Sequence, residues 1–221
     1  DFEAIFKDYD WFHFTGITPA LSRNAYHITL EALKSAKKYN VTVSCDLNYR
    51  RKLWTPAEAQ ECMTTLIPYV DVLIGNEEDI EKCLGYKIKY TDVAKGALNI
   101  DGYKEIFKVL HEKYRFKYIA TSLRESYSAS FNGWSAVIYD GKNFYQSKRY
   151  EINLVDRIGG GDSFAGGLIH SFVNGKDYKY AAEFAVAASA LKQTIHGDFN
   201  LASLAEVENL MRGDTSGRVQ R

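Results

Sequence analysis

Four short apolar runs, at residues 9–15, 41–45, 70–74 and 117–121, are separated by segments whose apolar residues recur every three or four positions. That alternation limits the folds open to the chain. Ala25, Ile28, Ala32, Leu33 and Ala36 mark one helical stripe, with Lys34, Lys37 and Lys38 toward the end where cations favour the helix dipole. Ile106, Val109 and Leu110 mark another within residues 101–114. Repeated strand-then-helix units imply a mostly parallel sheet covered by helices, hence an α/β fold.

Punctuation refines the picture. Gly16-Ile17-Thr18-Pro19 reads as a turn after the first strand, and the helix after it is expected to stop near Asn40. Thr55-Pro56-Ala57-Glu58 combines an N-cap threonine, proline at the first helical position and glutamate three residues after the cap. Gly75-Asn76 opens a short acidic helix ending at Gly85, and residues 86–100 carry little signal. The pattern changes at Ser126. Residues 127–131, 134–139 and 143–147 read as strands of an antiparallel meander with hairpin turns at Asn132-Gly133 and Asp140-Gly141. Helices are expected over 163–173, 178–194 and 204–211, followed by a flexible tail at 212–221. No repeat or linker interrupts the chain, so one domain over 1–221 is the simplest organisation.

Charge narrows the function classes. The 28 basic and 28 acidic residues cancel, which disfavours nucleic acid or an anionic membrane as a bulk partner and leaves anion binding to a local pocket. Cys45, Cys62 and Cys83 show no metal or redox spacing and suit a reducing cytoplasm. No run reaches the roughly 18 apolar residues of a membrane span, so a soluble protein is expected. Oligomeric state is left open, a homo-oligomer included.

The most informative run is Asp156-Arg157-Ile158-Gly159-Gly160-Gly161-Asp162-Ser163. Three glycines before a helix start let the backbone approach a ligand and aim several N–H groups at one point, which suits a transferring phosphoryl group. Asp162 would repel a bound phosphate, yet it fits a base facing a neutral hydroxyl. The plainer alternative is a flexible glycine turn with Asp162 as an N-cap.

Residues 156–167, DRIGGGDSFAGG, resemble the C-terminal signature of the ribokinase-like sugar kinases, the phosphofructokinase B family, usually written as a DTxGAGD-type run. Further matches follow the family's order: Asp46-Leu47-Asn48-Tyr49-Arg50 with Leu53-Trp54, and Asn76-Glu77-Glu78 after a strand. Residues 12–17, Arg157 and residues 194–198 most resemble the branch that phosphorylates 2-keto-3-deoxygluconate. The resemblance implies a three-layer α/β/α fold and an ATP- and Mg²⁺-dependent transfer to a hydroxyl of a sugar acid. The chain opens at Asp1 without methionine, and the resemblance begins part-way into the family's fold. The strands that carry the family's glycine-rich sugar-binding segment and lid sheet are therefore expected to be missing.

Carried over by resemblance, Asp162 is the catalytic base, and the amides of Gly159, Gly160 and Gly161 form the anion hole and contact ATP. Asn48 lies near the ATP phosphates. Arg50 contacts the sugar acid or the phosphate, and Asp198 and Asp162 contact the sugar acid; the alternatives are an Arg50–Asp46 ion pair and a helix-capping Asp198. Asn76 with Glu78 or Asp79 organises Mg²⁺, the alternative being a solvated helix start. The family's adenine-side loop falls on residues 121–126, where Thr121, Ser122 and Arg124 replace its usual glycines. Arg157 reaches either an anion or solvent, and His196 reads as a plain loop residue.

Overall fold

The computed structural model describes residues 1–87 and 100–213. The described residues divide into two compact units, the first holding 1–87, 100–121 and 139–144, the second 122–138 and 145–213. In chain order the elements begin with α1 (Phe2–Phe6), β1 (Trp11–Thr15), α2 (Ile17–Ala20), α3 (Arg23–Lys38), β2 (Thr42–Asp46) and α4 (Pro56–Leu66). They continue with β3 (Val72–Ile74), α5 (Glu77–Leu84), α6 (Ile100–Tyr114), β4 (Tyr118–Ser126) and β5 (Phe131–Tyr139). The last are β6 (Phe144–Gln146), β7 (Tyr150–Asn153), α7 (Gly160–Val173), α8 (Tyr178–Lys192) and α9 (Leu204–Arg212).

The strands form one seven-stranded sheet in the order β1-β2-β3-β4-β5-β6, with β7 on β5. β1 to β4 pair parallel, as the alternation of strands and helices requires, whereas β7 runs antiparallel to β5. Cys45, Leu73 and Ile119 on one face and Ser44, Val72 and Ala120 on the other are all buried, the mark of parallel strands hidden on both faces. On α3 the buried stripe is Thr29, Ala32, Leu33 and Ala36, while Ile28 points to solvent. The three-and-four spacing is thus right, with the threonine rather than the isoleucine inside. The expected turn at residues 16–19 winds instead into α2, where Leu21 N donates back to Thr18 O. Thr55 and Glu58 close the expected capping box on α4, a device worth about 1 kcal/mol.

In the second unit one hairpin expectation fails. β5 runs straight through Asn132-Gly133, and the chain reverses at residues 127–130, where Tyr127 N and Ser128 N donate to Phe131 O. Gly133 serves a different purpose, because a Cβ there would lie 2.5 Å from Glu125 Oε2 and 3.0 Å from the Arg149 guanidinium, which cross over it as an ion pair. The Asp140-Gly141 turn forms as expected, in the first unit, with Asp140 Oδ1 accepting from Lys142 N and Asn143 N. α8 is alanine-rich and buried nearly all round, and Phe184, Ala187 and Ala188 join Val207 of α9 in one cluster. α9 ends at Arg212; of the tail expected at 212–221, residues 214–221 lie outside the described residues.

Candidate active site

In the first unit the parallel ladder continues past the strands. Gly16 N donates to Asp46 O at 2.8 Å, Leu47 N to Ile74 O at 2.9 Å and Gly75 N to Ala120 O at 3.3 Å. The carboxyl ends of β1 to β4 are held level by these bonds, and open α/β sheets bind ligands at that edge. Three of the expected site residues leave from it. Asn48 adopts a left-handed φ of 41°, which asparagine tolerates, and its Nδ2 donates to Thr15 Oγ1 at 3.1 Å. Arg50 is exposed and donates to Tyr49 O at 3.2 Å.

Asn76 and Asp79 cap α5 reciprocally: Asp79 N donates to Asn76 Oδ1 at 3.0 Å, and Asn76 N donates to Asp79 Oδ2 at 3.1 Å. The other Asp79 oxygen accepts from Tyr49 N at 2.8 Å, so this carboxylate staples the loop of residues 47–50 to the start of α5. Asp79 is 7% exposed. Burial pushes its pKa up to about 6, against the pull of the two amides and the Arg50 charge. With both oxygens engaged, its structural role is the one on display; the exposed carboxylate here is Glu78. Glu77 accepts from the buried Tyr103 hydroxyl, a pairing the sequence did not signal. Among the described residues no three His, Cys, Asp or Glu side chains converge as a metal cage.

The adenine-side loop expected at residues 121–126 is part of β4. Thr121 is buried in that strand, Ser122 is half-buried and Arg124 is exposed. With no glycine pair to end it, the strand carries on for five residues past Thr121.

The second unit holds the glycine run. Gly159 is the N-cap of α7 with φ +79°, and Gly160, Gly161 and Asp162 are its first three helical residues. Asp162 is therefore not the N-cap, since it lies three residues past Gly159, and the left-handed φ at the cap suits a glycine. Gly160 N donates to Arg157 O at 3.3 Å and Ser163 N to Gly159 O at 2.9 Å. The amides of Gly161 and Asp162 between them meet no acceptor among the described residues, and the space a Cβ on Gly161 would enter is open. Two free N–H groups at the positive end of a helix make an anion cradle. Asp162 is exposed, and its side chain makes no hydrogen bond or ion pair among the described residues. It lines a cleft of about 480 Å³ together with Gly166, Phe184, Asp198 and Phe199.

Asp198 lines the same cleft as Asp162, and it caps no helix among the described residues, since α9 takes Ser203 for that purpose. Its carbonyl oxygen would lie 2.0 Å from a Cβ on Gly159, so the two loops touch backbone to backbone. Arg157 is exposed and donates to Ala129 O at 2.8 Å, and His196 is an exposed loop residue. Lys192, buried at the end of α8 behind this turn, was not foreseen; a lysine in the last helical turn reads as an ordinary dipole partner.

The model of the pfkB family carbohydrate kinases matches residues 1–202. The chain belongs to this family. It is 49% identical to the 2-dehydro-3-deoxygluconokinase of Thermotoga maritima, whose crystal structure superposes with a TM-score of 0.90 over 96% of this chain and 63% of that one. A 2-dehydro-3-deoxygalactonokinase of Haloferax volcanii is 32% identical over 96% of this chain and 60% of its own length. The 2-dehydro-3-deoxygluconokinase of Thermoproteus tenax is 28% identical over 95% of this chain and 57% of its own. The chain thus spans about half to three-fifths of the length of the curated relatives it matches. The shared fold is the ribokinase-like pfkB fold, a mixed seven-stranded sheet with helices on both sides.

Proposed function

We propose that this chain is the phosphoryl-transfer part of an ATP-dependent sugar-acid kinase that converts 2-keto-3-deoxygluconate to its 6-phosphate. The observation that carries the reading is the exposed Asp162 carboxylate beside two unclaimed amides, its own and that of Gly161, at the start of α7. A carboxylate alone at that place would repel a phosphate; a carboxylate next to an amide cradle serves a hydroxyl and a phosphoryl group at once.

The accepting hydroxyl gives its proton to Asp162 as its oxygen bonds to the γ-phosphorus, and the bond from that phosphorus to the ADP oxygen breaks. The Gly161 and Asp162 amides stabilise the charge on the phosphoryl oxygens during transfer, the step where such donors contribute most. Asn48 faces the nucleotide phosphates. Arg50, whose guanidinium is exposed, takes the sugar carboxylate, and Asp198 contacts the sugar from the cleft it lines with Asp162. Thr121, Ser122 and Arg124 serve the adenine side from a strand rather than a loop.

Mg²⁺, when bound, neutralises charge on the ATP phosphates. The residues at the start of α5 fit an ion that keeps most of its water: Glu78 is exposed, whereas Asn76 and Asp79 are engaged in the cap. Three free cysteines suit a reducing cytoplasm, and no described helix is long and apolar enough to cross a membrane.

The test is ADP release by the full-length protein with MgATP and a panel of 2-keto-3-deoxygluconate, 2-keto-3-deoxygalactonate, fructose and ribose. Recognition of the carboxylate by charge-assisted hydrogen bonds predicts that the acids turn over roughly 10- to 100-fold faster than the neutral sugars at low concentration. Faster turnover of fructose or ribose would reassign the substrate. ATP binding without turnover of any of the four would make the protein a binding module.

A further inference from the structure

Lys192 is wholly buried, and an ammonium taken out of water is costly unless each of its donors finds an acceptor. Its Nζ donates to the carbonyl oxygens of Gly197 at 2.5 Å, Ile195 at 3.3 Å and Asp156 at 3.4 Å. Three acceptors call for three N–H groups, which only the protonated amine has. No carboxylate oxygen bonds it directly. The Asp156 carboxylate instead accepts from Ile158 N at 3.0 Å and Gly197 N at 3.2 Å, which ties the loop at 156–158 to the loop at 197. A cage of backbone carbonyls without a bonded acid is the ligand set that suits a weakly hydrated monovalent cation.

The cage sits directly behind the glycine run. A Cβ on Gly159 would lie 3.2 Å from Lys192 Cε and 2.0 Å from Asp198 O. All three carbonyls lie outside helices: Asp156 leads into the turn at 157–159, and Ile195 and Gly197 lead into Asp198. Drawing them to one point fixes both loops.

We propose that Lys192 is a built-in monovalent cation whose ammonium fills this carbonyl cage and fixes the turn that presents the Gly161 and Asp162 amides, so that the chain needs no bound K⁺ or Na⁺ there. Lys192 is a positioning residue and touches no reacting atom. Its consequence for turnover rests on the kinase reading above; its consequence for stability does not.

The test compares wild type, Lys192→Ala and Lys192→Met in potassium, ammonium and tetramethylammonium chloride at matched ionic strength, reading thermal unfolding and ADP release. Wild type should show the same Tm and turnover in all three salts. Lys192→Ala, which empties the cage, should lose roughly 5–10 °C in tetramethylammonium and regain at least half of it in potassium or ammonium, with turnover recovering in parallel. Lys192→Met fills the space with a neutral chain, so it should be destabilised in every salt and not rescued. Should the alanine variant fail to fold in all salts, the methionine variant decides: a wild-type Tm there overturns the proposal, and a lowered, salt-independent Tm supports it. Wild-type turnover that requires potassium, or an alanine variant indifferent to the cation, would also overturn it. The expected Tm pattern in a protein that never releases ADP would keep the internal cation and remove the kinase reading instead.

Discussion

Replacing Asp162 by asparagine is expected to lower turnover roughly 10³-fold, about 4 kcal/mol of transition-state stabilisation, while leaving ATP affinity within a few-fold of wild type. The substitution keeps size and shape at an exposed position with no hydrogen-bond or ion-pair partner among the described residues, so the fold should lose at most about 1 kcal/mol, the dipole contribution of an acid in the first turn of α7. The Gly161 and Asp162 amides belong to the backbone and survive it. Only proton acceptance is lost. A kinetic assay paired with calorimetric ATP titration separates the two effects. Equal losses of binding and turnover would mean that Asp162 shapes the nucleotide site rather than serving as a base.

The second large effect is expected from Gly159→Ala, and Gly161→Ala gives the contrast that makes it readable. At Gly159 a methyl group meets the Asp198 carbonyl oxygen at 2.0 Å, a backbone atom that cannot step aside alone, in a left-handed conformation that costs an L-residue about 1–2 kcal/mol. Clash and strain together should cost about 3 kcal/mol or more, a fall in Tm of roughly 6–12 °C, with turnover lost as the two loops part. Gly161 differs in both respects. Its Cβ position is open, it lies within the first turn of α7, and alanine is a better helix former by about 1 kcal/mol. Gly161→Ala should therefore keep or raise Tm while weakening binding, because its methyl group enters the space reserved for the phosphoryl group. Thermal unfolding set beside ATP titration reads the pair. Similar falls in Tm for both variants would mean that the whole glycine run is structural.

Most of the architecture was legible because it rests on local signals. The parallel core followed from four apolar runs alternating with helical stripes, and α4 from the Thr55-to-Glu58 cap. The misreadings have two causes, a neighbour distant in sequence and an analogy that the local residues do not support. Asn132-Gly133 has the composition of a hairpin turn, yet the glycine is there because Glu125 and Arg149 pass over it, and neither is visible as a contact in a one-dimensional reading. Thr121 to Ser126 resemble a loop only by analogy with glycines this chain lacks, and without them β4 continues.

The site divides in the same way. Asp162 and the glycines could be singled out because they adjoin in sequence and the chemistry of a phosphoryl cradle needs both. Which glycine caps the helix could not be told from three identical residues; the left-handed φ at Gly159 decides it. Asp79 looked like an acid near a metal, but its partners are the amides of Asn76 and Tyr49, the second of them 30 residues away along the chain. Lys192 and Asp156 are 36 residues apart and gave no signal until the fold brought them together.

The claim on which the rest depends is that the free amides of Gly161 and Asp162 receive the phosphoryl group. Titrating ¹⁵N-labelled protein with MgATP and following each amide in a proton–nitrogen correlation spectrum tests it directly. The account predicts that the Gly161 and Asp162 cross-peaks move downfield on saturation, among the largest shifts in the spectrum, as new charge-assisted hydrogen bonds form. Saturable ATP binding that leaves both cross-peaks in place would contradict it.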